Sequence, residues 1–150
     1  MAVLYVLYYR EDCGPAAEAL GQRLAQLGKH RLLWPVPSDA MTAAREGIVR
    51  QSDVVLVLMG PQWLHITDHA GQRRIMNRAD FLHFDLTQAL SHHKPILPIL
   101  VGSGVMPAAQ QLPADLRAFA QIAPFHLHNQ ADVTADVIRL NIKLRQFVDA

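Results

Sequence analysis

The residue best placed for chemistry in this 150-residue chain is the carboxylate of Asp85. The apolar run SDVVLVLMGPQWL ends on Gly60-Pro61, and DFLHFDLTQAL, carrying Asp85 among aromatic residues, follows a loop later. In an α/β sheet, an acid on the helix after a central strand stands at the crevice outside the strands' carboxyl ends, where a nucleotide can sit. A carboxylate there can stabilise developing positive charge or hold hydroxyl groups. On a 3.6-residue helix Asp85 lies roughly 70° from the centre of the apolar stripe Leu82, Leu86, Ala89 and Leu90. The spacing therefore predicts Asp85 at the border with solvent, on one edge with Phe81 and Gln88.

The ends of the first and third apolar runs supply the other candidates. Tyr9, Arg10, Gly60 and Trp63 are expected around the crevice, with Trp63 able to stack on a flat ring. Tyr8 ends a buried run and reads as core. Arg73, Arg74 and Arg78 form a basic loop, solvated or paired to a pyrophosphate, and Glu11 and Asp12 read as caps for the helix after them. Six of the eight histidines fall in three isolated pairs, such as His65 and His69, and no carboxylate or cysteine completes a metal set. Gly14, Gly21 and Gly28 fit neither phosphate-loop spacing. Cys13, the one cysteine, has no internal partner and fits a reducing compartment.

These residues need a scaffold, and the pattern specifies one. Hydrophobic residues make up 51% of the chain and charged residues 18%, which describes a packed core rather than a disordered segment. A net charge of +1 gives no field that would attract nucleic acid. The opening MAVLYVLYYRED turns charged too early for a leader, and no apolar run is long enough to span a bilayer, so no membrane contact and a cytoplasmic location are expected. Val3–Tyr8 reads as a buried strand. A helix starts at Gly14-Pro15 and stops at Gly28. His30–Val36 is a short strand broken by prolines, and Thr42 caps a helix to about Gln51. Val54–Met59 is a strand, residues 60–79 a long loop, and Asp80 the cap of the next helix. Pro95–Val101 is a strand, Ala114–Ala120 a short helix and Phe125–His128 a weak strand. Val133, Val137, Leu140, Leu144 and Val148 form a closing amphipathic helix. Five alternations of strand and helix predict a single domain over residues 1–150: a flavodoxin-like five-stranded parallel sheet, order 2-1-3-4-5, helices on both faces.

At this level the chain resembles the bacterial Toll/interleukin-1 receptor (TIR) domains. LYVLYYRED is similar to the family's first box, a strand ending in Ser-Tyr-Arg-Arg-Glu-Asp, with Leu7 in place of the Ser and Tyr9 in place of one Arg. SDVVLVLMGPQWL resembles the third strand and its loop, GQRRIMNRADFLHFDLTQAL the basic loop and helix, and KPILPILVGSGVMP the next strand. The resemblance implies an aromatic-x-x-x-Glu motif whose Glu is catalytic. Here it reads Phe81-Leu82-His83-Phe84-Asp85, so Asp85 takes the catalytic position with the shorter acid. The loop from Pro35 to Met41 is Pro-rich and lacks the family's acidic-glycine character.

Two functions follow from that resemblance. One is an assembly-activated NAD⁺ glycohydrolase of bacterial immune or antiphage signalling, with NAD⁺ as substrate, no cofactor, Asp85 catalytic, and Tyr9, Arg10, Gly60, Trp63 and Phe81 binding substrate. Cleavage of the nicotinamide–ribose bond builds oxocarbenium-like charge on the ribose, which one carboxylate can stabilise. Aspartate reaches about 1 Å less far than glutamate, which can cost about a hundredfold in rate, so hydrolysis is expected to be weak or absent. The other is a catalytically inactive adaptor that acts by homotypic TIR–TIR association, with a fused or separate sensor as partner. A phosphate-receiver reading fails because Met59-Gly60 stands where a phospho-acceptor Asp would be.

Overall fold

A computed structural model describes residues 2–35, 43–128 and 133–147. Its elements are β1 (Ala2–Leu7), α1 (Arg10–Gln26), β2 (His30–Leu33), α2 (Ala43–Gln51), β3 (Val54–Met59), α3 (Phe81–Ser91), β4 (Ile96–Val101), β5 (Phe125–Leu127) and α4 (Thr134–Leu144), with 3₁₀ turns at Arg74–Met76, Ala109–Gln111 and Ala114–Gln121. The strands form one parallel sheet in the order β2-β1-β3-β4-β5, the expected flavodoxin-like topology. Val54–Met59 and Ile96–Val101 are wholly buried, as strands covered on both faces must be. Pro98 is tolerated inside β4 because pairing with β5 begins only at Ile99, so a neighbour lies on one side alone.

The period-2 alternation of the strands divides the core. Leu4, Val6, Leu56, Leu58 and Ile99 face Leu20 and Leu24 of α1 and Val137, Leu140 and Leu144 of α4. Tyr5, Leu7, Val55, Val57 and Leu100 face the other way, toward Val49 of α2, Leu82 and Leu86 of α3, and Phe119. The start of α1 is offset by non-helical backbone at Cys13. Pro15 thus falls in the first turn of the continuous helix, where its missing N–H breaks no bond. The caps expected of Glu11 and Asp12 do not form: Tyr9 is the N-cap, with no side-chain cap. Val36, Thr42 and Val148, assigned to elements from sequence, lie outside the described residues. Among the described residues no helix is long and apolar enough to cross a membrane.

Asp12 instead fastens the long loop to α1. Its carboxylate accepts the N–H of Gly60 at 2.7 Å and of Gln62 at 2.8 Å. A Cβ at position 60 would stand 2.6 Å from Asp12 Oδ1, so glycine there is a condition of the approach. Replacing Asp12 by Ala leaves two loop amides without their acceptor and is expected to lower stability by about 1–2 kcal/mol in urea unfolding, with an unchanged m-value. An unchanged midpoint would refute this anchoring.

Candidate functional site

The carboxylate at position 85 points inward. Asp85 is 0% exposed, contrary to its expected place at the solvent border. Tyr5 of β1 donates its hydroxyl to Asp85 Oδ2 at 2.5 Å, and Arg45 of α2 pairs with the same oxygen at 2.9 Å, itself fully buried. Asp85 Oδ1 has no hydrogen-bond partner among the described residues. The helical-wheel estimate failed because α3 is enclosed by more than the sheet: α2 lies along one side and the Ala114–Gln121 turn along another. Burial pushes the Asp85 carboxyl up to about 6, against the opposing pull of Tyr5 and Arg45. The acid is thus one arm of a buried triad, not a group lining a crevice.

The two tyrosines closing the first strand exchange their expected places. Tyr9 continues the Tyr5, Leu7 face into the α2/α3 side of the core and is 0% exposed. Its hydroxyl donates to Asp80 at 2.6 Å, and its phenol is raised by burial and by the Asp80 carboxylate. Tyr8, expected in the core, is half-buried and lines a cleft. Trp63 is also core: it stacks on Phe119 at 5.8 Å and leans on Tyr9. The Gly60 N–H is already committed to Asp12. Of the proposed site residues, the structure brings Arg10 and Phe81 alone to open surface together. Tyr9, Gly60, Trp63 and Asp85 are each enclosed.

That open surface is a cleft of about 880 Å³ between α1, the end of β2 and the first turn of α3. Tyr8, Arg10, Glu18, Trp34, Arg74 and Phe81 are among its walls. Arg74 joins the cleft to the fold. It pairs with Glu11 at 2.8 Å and Asp80 at 2.9 Å, and lies over the Tyr9 ring at 4.6 Å. Asp80 in turn accepts the N–H groups of Leu82 and His83, capping α3 as the sequence implied. The basic loop is therefore not simply solvated. Phe81 separates the cleft from the triad, with Arg45 5.5 Å from its ring centre on the inner side.

Reasoning from sequence missed Tyr5, Arg45, Trp34 and Glu18. Arg45 carried a signal: it sits four residues before Val49, hence on the buried face of its helix. His83, buried in α3, bridges the Ile75 carbonyl at 2.5 Å and the Asp115 carboxylate at 2.9 Å. No group of three metal-ligating side chains occurs among the described residues. Burial pushes the Cys13 thiol up to about 12, leaving it a poor nucleophile.

The solved TIR domains of the activated Roq1 resistosome directly recognizing the pathogen effector XopQ are similar to this chain, with 11% identity and a TM-score of 0.67, over 96% of this chain and 99% of that one. No family model and no curated protein matches the sequence. The chain has a TIR-type fold.

Proposed function

We propose that this chain is a TIR-type signalling domain whose output is association with other TIR domains. The fold supports the class, and the similar structure is of TIR domains within an activated resistosome. One observation favours assembly over chemistry: the acid at position 85 is fully buried between Tyr5 and Arg45. A substrate cannot use a carboxylate it does not touch. The test is light scattering across a concentration series, alongside nicotinamide release at the highest concentration. The expected result is a rising mass with release equal to a protein-free blank, and no gain on Asp85→Glu. A protein that stays monomeric throughout would defeat the reading.

The second reading, an NAD⁺ glycohydrolase, is favoured by the place of the cleft. Its inner wall, Phe81, lies one helical turn from Asp85. In this reading assembly draws Arg45 aside and turns the carboxylate toward the cleft. The bond from ribose C1′ to the pyridinium nitrogen then breaks, its electron pair leaving with neutral nicotinamide. The carboxylate stabilises the cationic ribose until water adds and gives up its proton. This reading requires release above the blank in the assembled protein, increased by Asp85→Glu and abolished by Asp85→Asn in a sample that melts as a folded protein. Blank-level release from the parent chain in the assembled state would remove it.

A further inference from the structure

His83 joins three parts of the fold through one imidazole ring. From α3, its Nδ1 lies 2.5 Å from the Ile75 carbonyl in the Arg74–Met76 turn. Its Nε2 lies 2.9 Å from Asp115 Oδ2 in the Ala114–Gln121 turn, and the residue is 2% exposed. A neutral imidazole has one N–H and one lone pair, so it can donate to only one of two acceptors. A carbonyl oxygen has no proton to give, and neither has an ionised carboxylate. In either neutral tautomer one ring nitrogen would turn its lone pair on an oxygen. The ring satisfies both partners only as an imidazolium. Asp115 is the ionised partner this requires. Burial works to raise its carboxyl, but the bond to His83 and the charge of that ring outweigh it and hold the group below its usual range, with Arg78 adding to the pull.

The other charges around the ring are engaged elsewhere. Asp80, on the same helix, pairs with Arg74, and Asp85 pairs with Arg45 of α2. From the sheet, Val57, Met59 and Leu100 are apolar, and Tyr5 is bonded to Asp85. The Thr87 hydroxyl donates to the His83 carbonyl at 2.8 Å and stands 3.5 Å from Asp115 Oδ2. The turn that Asp115 belongs to is also an apolar cover. Its Leu116 and Phe119 are fully buried, and Phe119 stacks on Trp63.

We propose that the Ala114–Gln121 turn is a proton-operated strap, closed on α3 while His83 carries two ring protons and loosened when it gives one up. Histidine is the side chain that changes charge near neutral pH. The closed strap holds a ring proton that the open strap does not need, so by linkage raising the pH favours opening. On the acid side the sign reverses: the Asp115 carboxyl is held low, so its contribution is lost as the pH falls through that lowered range. Opening uncovers Leu116, Phe119 and Trp63 along one flank of α3 while the sheet stays paired.

The test is long-range proton–nitrogen NMR of the His83 ring from pH 6 to 9, with native-state exchange of the Leu116 and Ile122 amides at each pH. Those amides bond to the Pro113 and Phe119 carbonyls and so report closure of the turn. Both ring nitrogens are expected to carry protons at pH 6. Where the ring loses one, the opening constants of the two amides, corrected for the intrinsic pH dependence of exchange, should rise about tenfold. Amides of β3 and β4 should show no such step. Asp115→Asn, at a side chain 31% exposed, supplies a carboxamide that can accept from an N–H or donate to a lone pair. It closes the strap over both forms of the ring, so the tenfold step should vanish while sheet protection stays at the parental level. A ring with a single proton throughout, no step in the parent, or a step that persists in Asp115→Asn would each overturn the proposal.

Discussion

Asp85→Ala is expected to unfold about 3–5 kcal/mol more easily than the parent chain, and Arg45→Ala by a similar amount, because each breaks one side of a fully buried ion pair. Replacing both together, Asp85→Leu with Arg45→Met, should cost less than either single change, since the two desolvated charges leave the interior as a pair. Both side chains are fully buried, which makes this a case where desolvation competes with pairing rather than a surface bridge of little consequence. The Asp85 carboxyl, pushed up to about 6 from 3.8, reports the same competition: burial outweighs Tyr5 and Arg45 together. Between about pH 4 and 6 the folded chain holds more protons at this group than the unfolded chain. The group's contribution to stability therefore falls as pH rises through that window and is flat above it. Denaturant midpoints for the four proteins at pH 4, 5 and 7 measure both effects. Additive losses in the double variant would show that the pair is not coupled. Until that is known, lost activity in Asp85→Ala reports folding before it reports chemistry.

The scaffold was legible in the sequence because strand and helix signals there are local. Six apolar residues between Asp53 and Gly60 leave no other element for Val54–Met59, and Asp80 before Phe81-Leu82 is a cap on chemistry alone. The site was less legible because enclosure is not local. Whether Asp85 meets water depends on α2, some forty residues earlier in the chain, and on the turn around Leu116 and Phe119. The exchange of Tyr8 and Tyr9 was in principle readable. Tyr5, Leu7 and Tyr9 share one face of the strand by parity, and Leu4, Val6 and Tyr8 the other. The reading went astray by treating the strand end as a single position rather than as two faces. Trp34 escaped notice for a different reason: its partner is the missing side chain of Gly21, and a sequence pattern does not mark a surface made by an absence.

The second large effect is expected at Asp80, which holds four donors at once. Its carboxylate accepts from the Tyr9 hydroxyl at 2.6 Å, the Leu82 amide at 3.1 Å, the His83 amide at 3.3 Å and Arg74 Nε at 2.9 Å. Asp80→Ala removes a helix cap, commonly worth about 1 kcal/mol, and strands a fully buried phenol hydroxyl, about 1–3 kcal/mol more. A total loss of about 2–4 kcal/mol follows for the variant. Asp80→Asn keeps an acceptor for the helix amides but loses the charge facing Arg74, so it should fall between parent and Ala. The loss need not be only global. Arg74 would retain Glu11, whose side chain is 61% exposed and therefore a weak anchor, so residues 60–79 should loosen before the sheet does. Limited trypsin digestion under native conditions reads this directly through cleavage after Arg73, Arg74 and Arg78, with faster amide exchange at Leu82 and His83 as an independent measure. Were the loop to resist trypsin as well in Asp80→Ala as in the parent, the cleft wall at Arg74 and Phe81 would be fixed by Tyr9 packing instead. The carboxylate would then be a cap and nothing more.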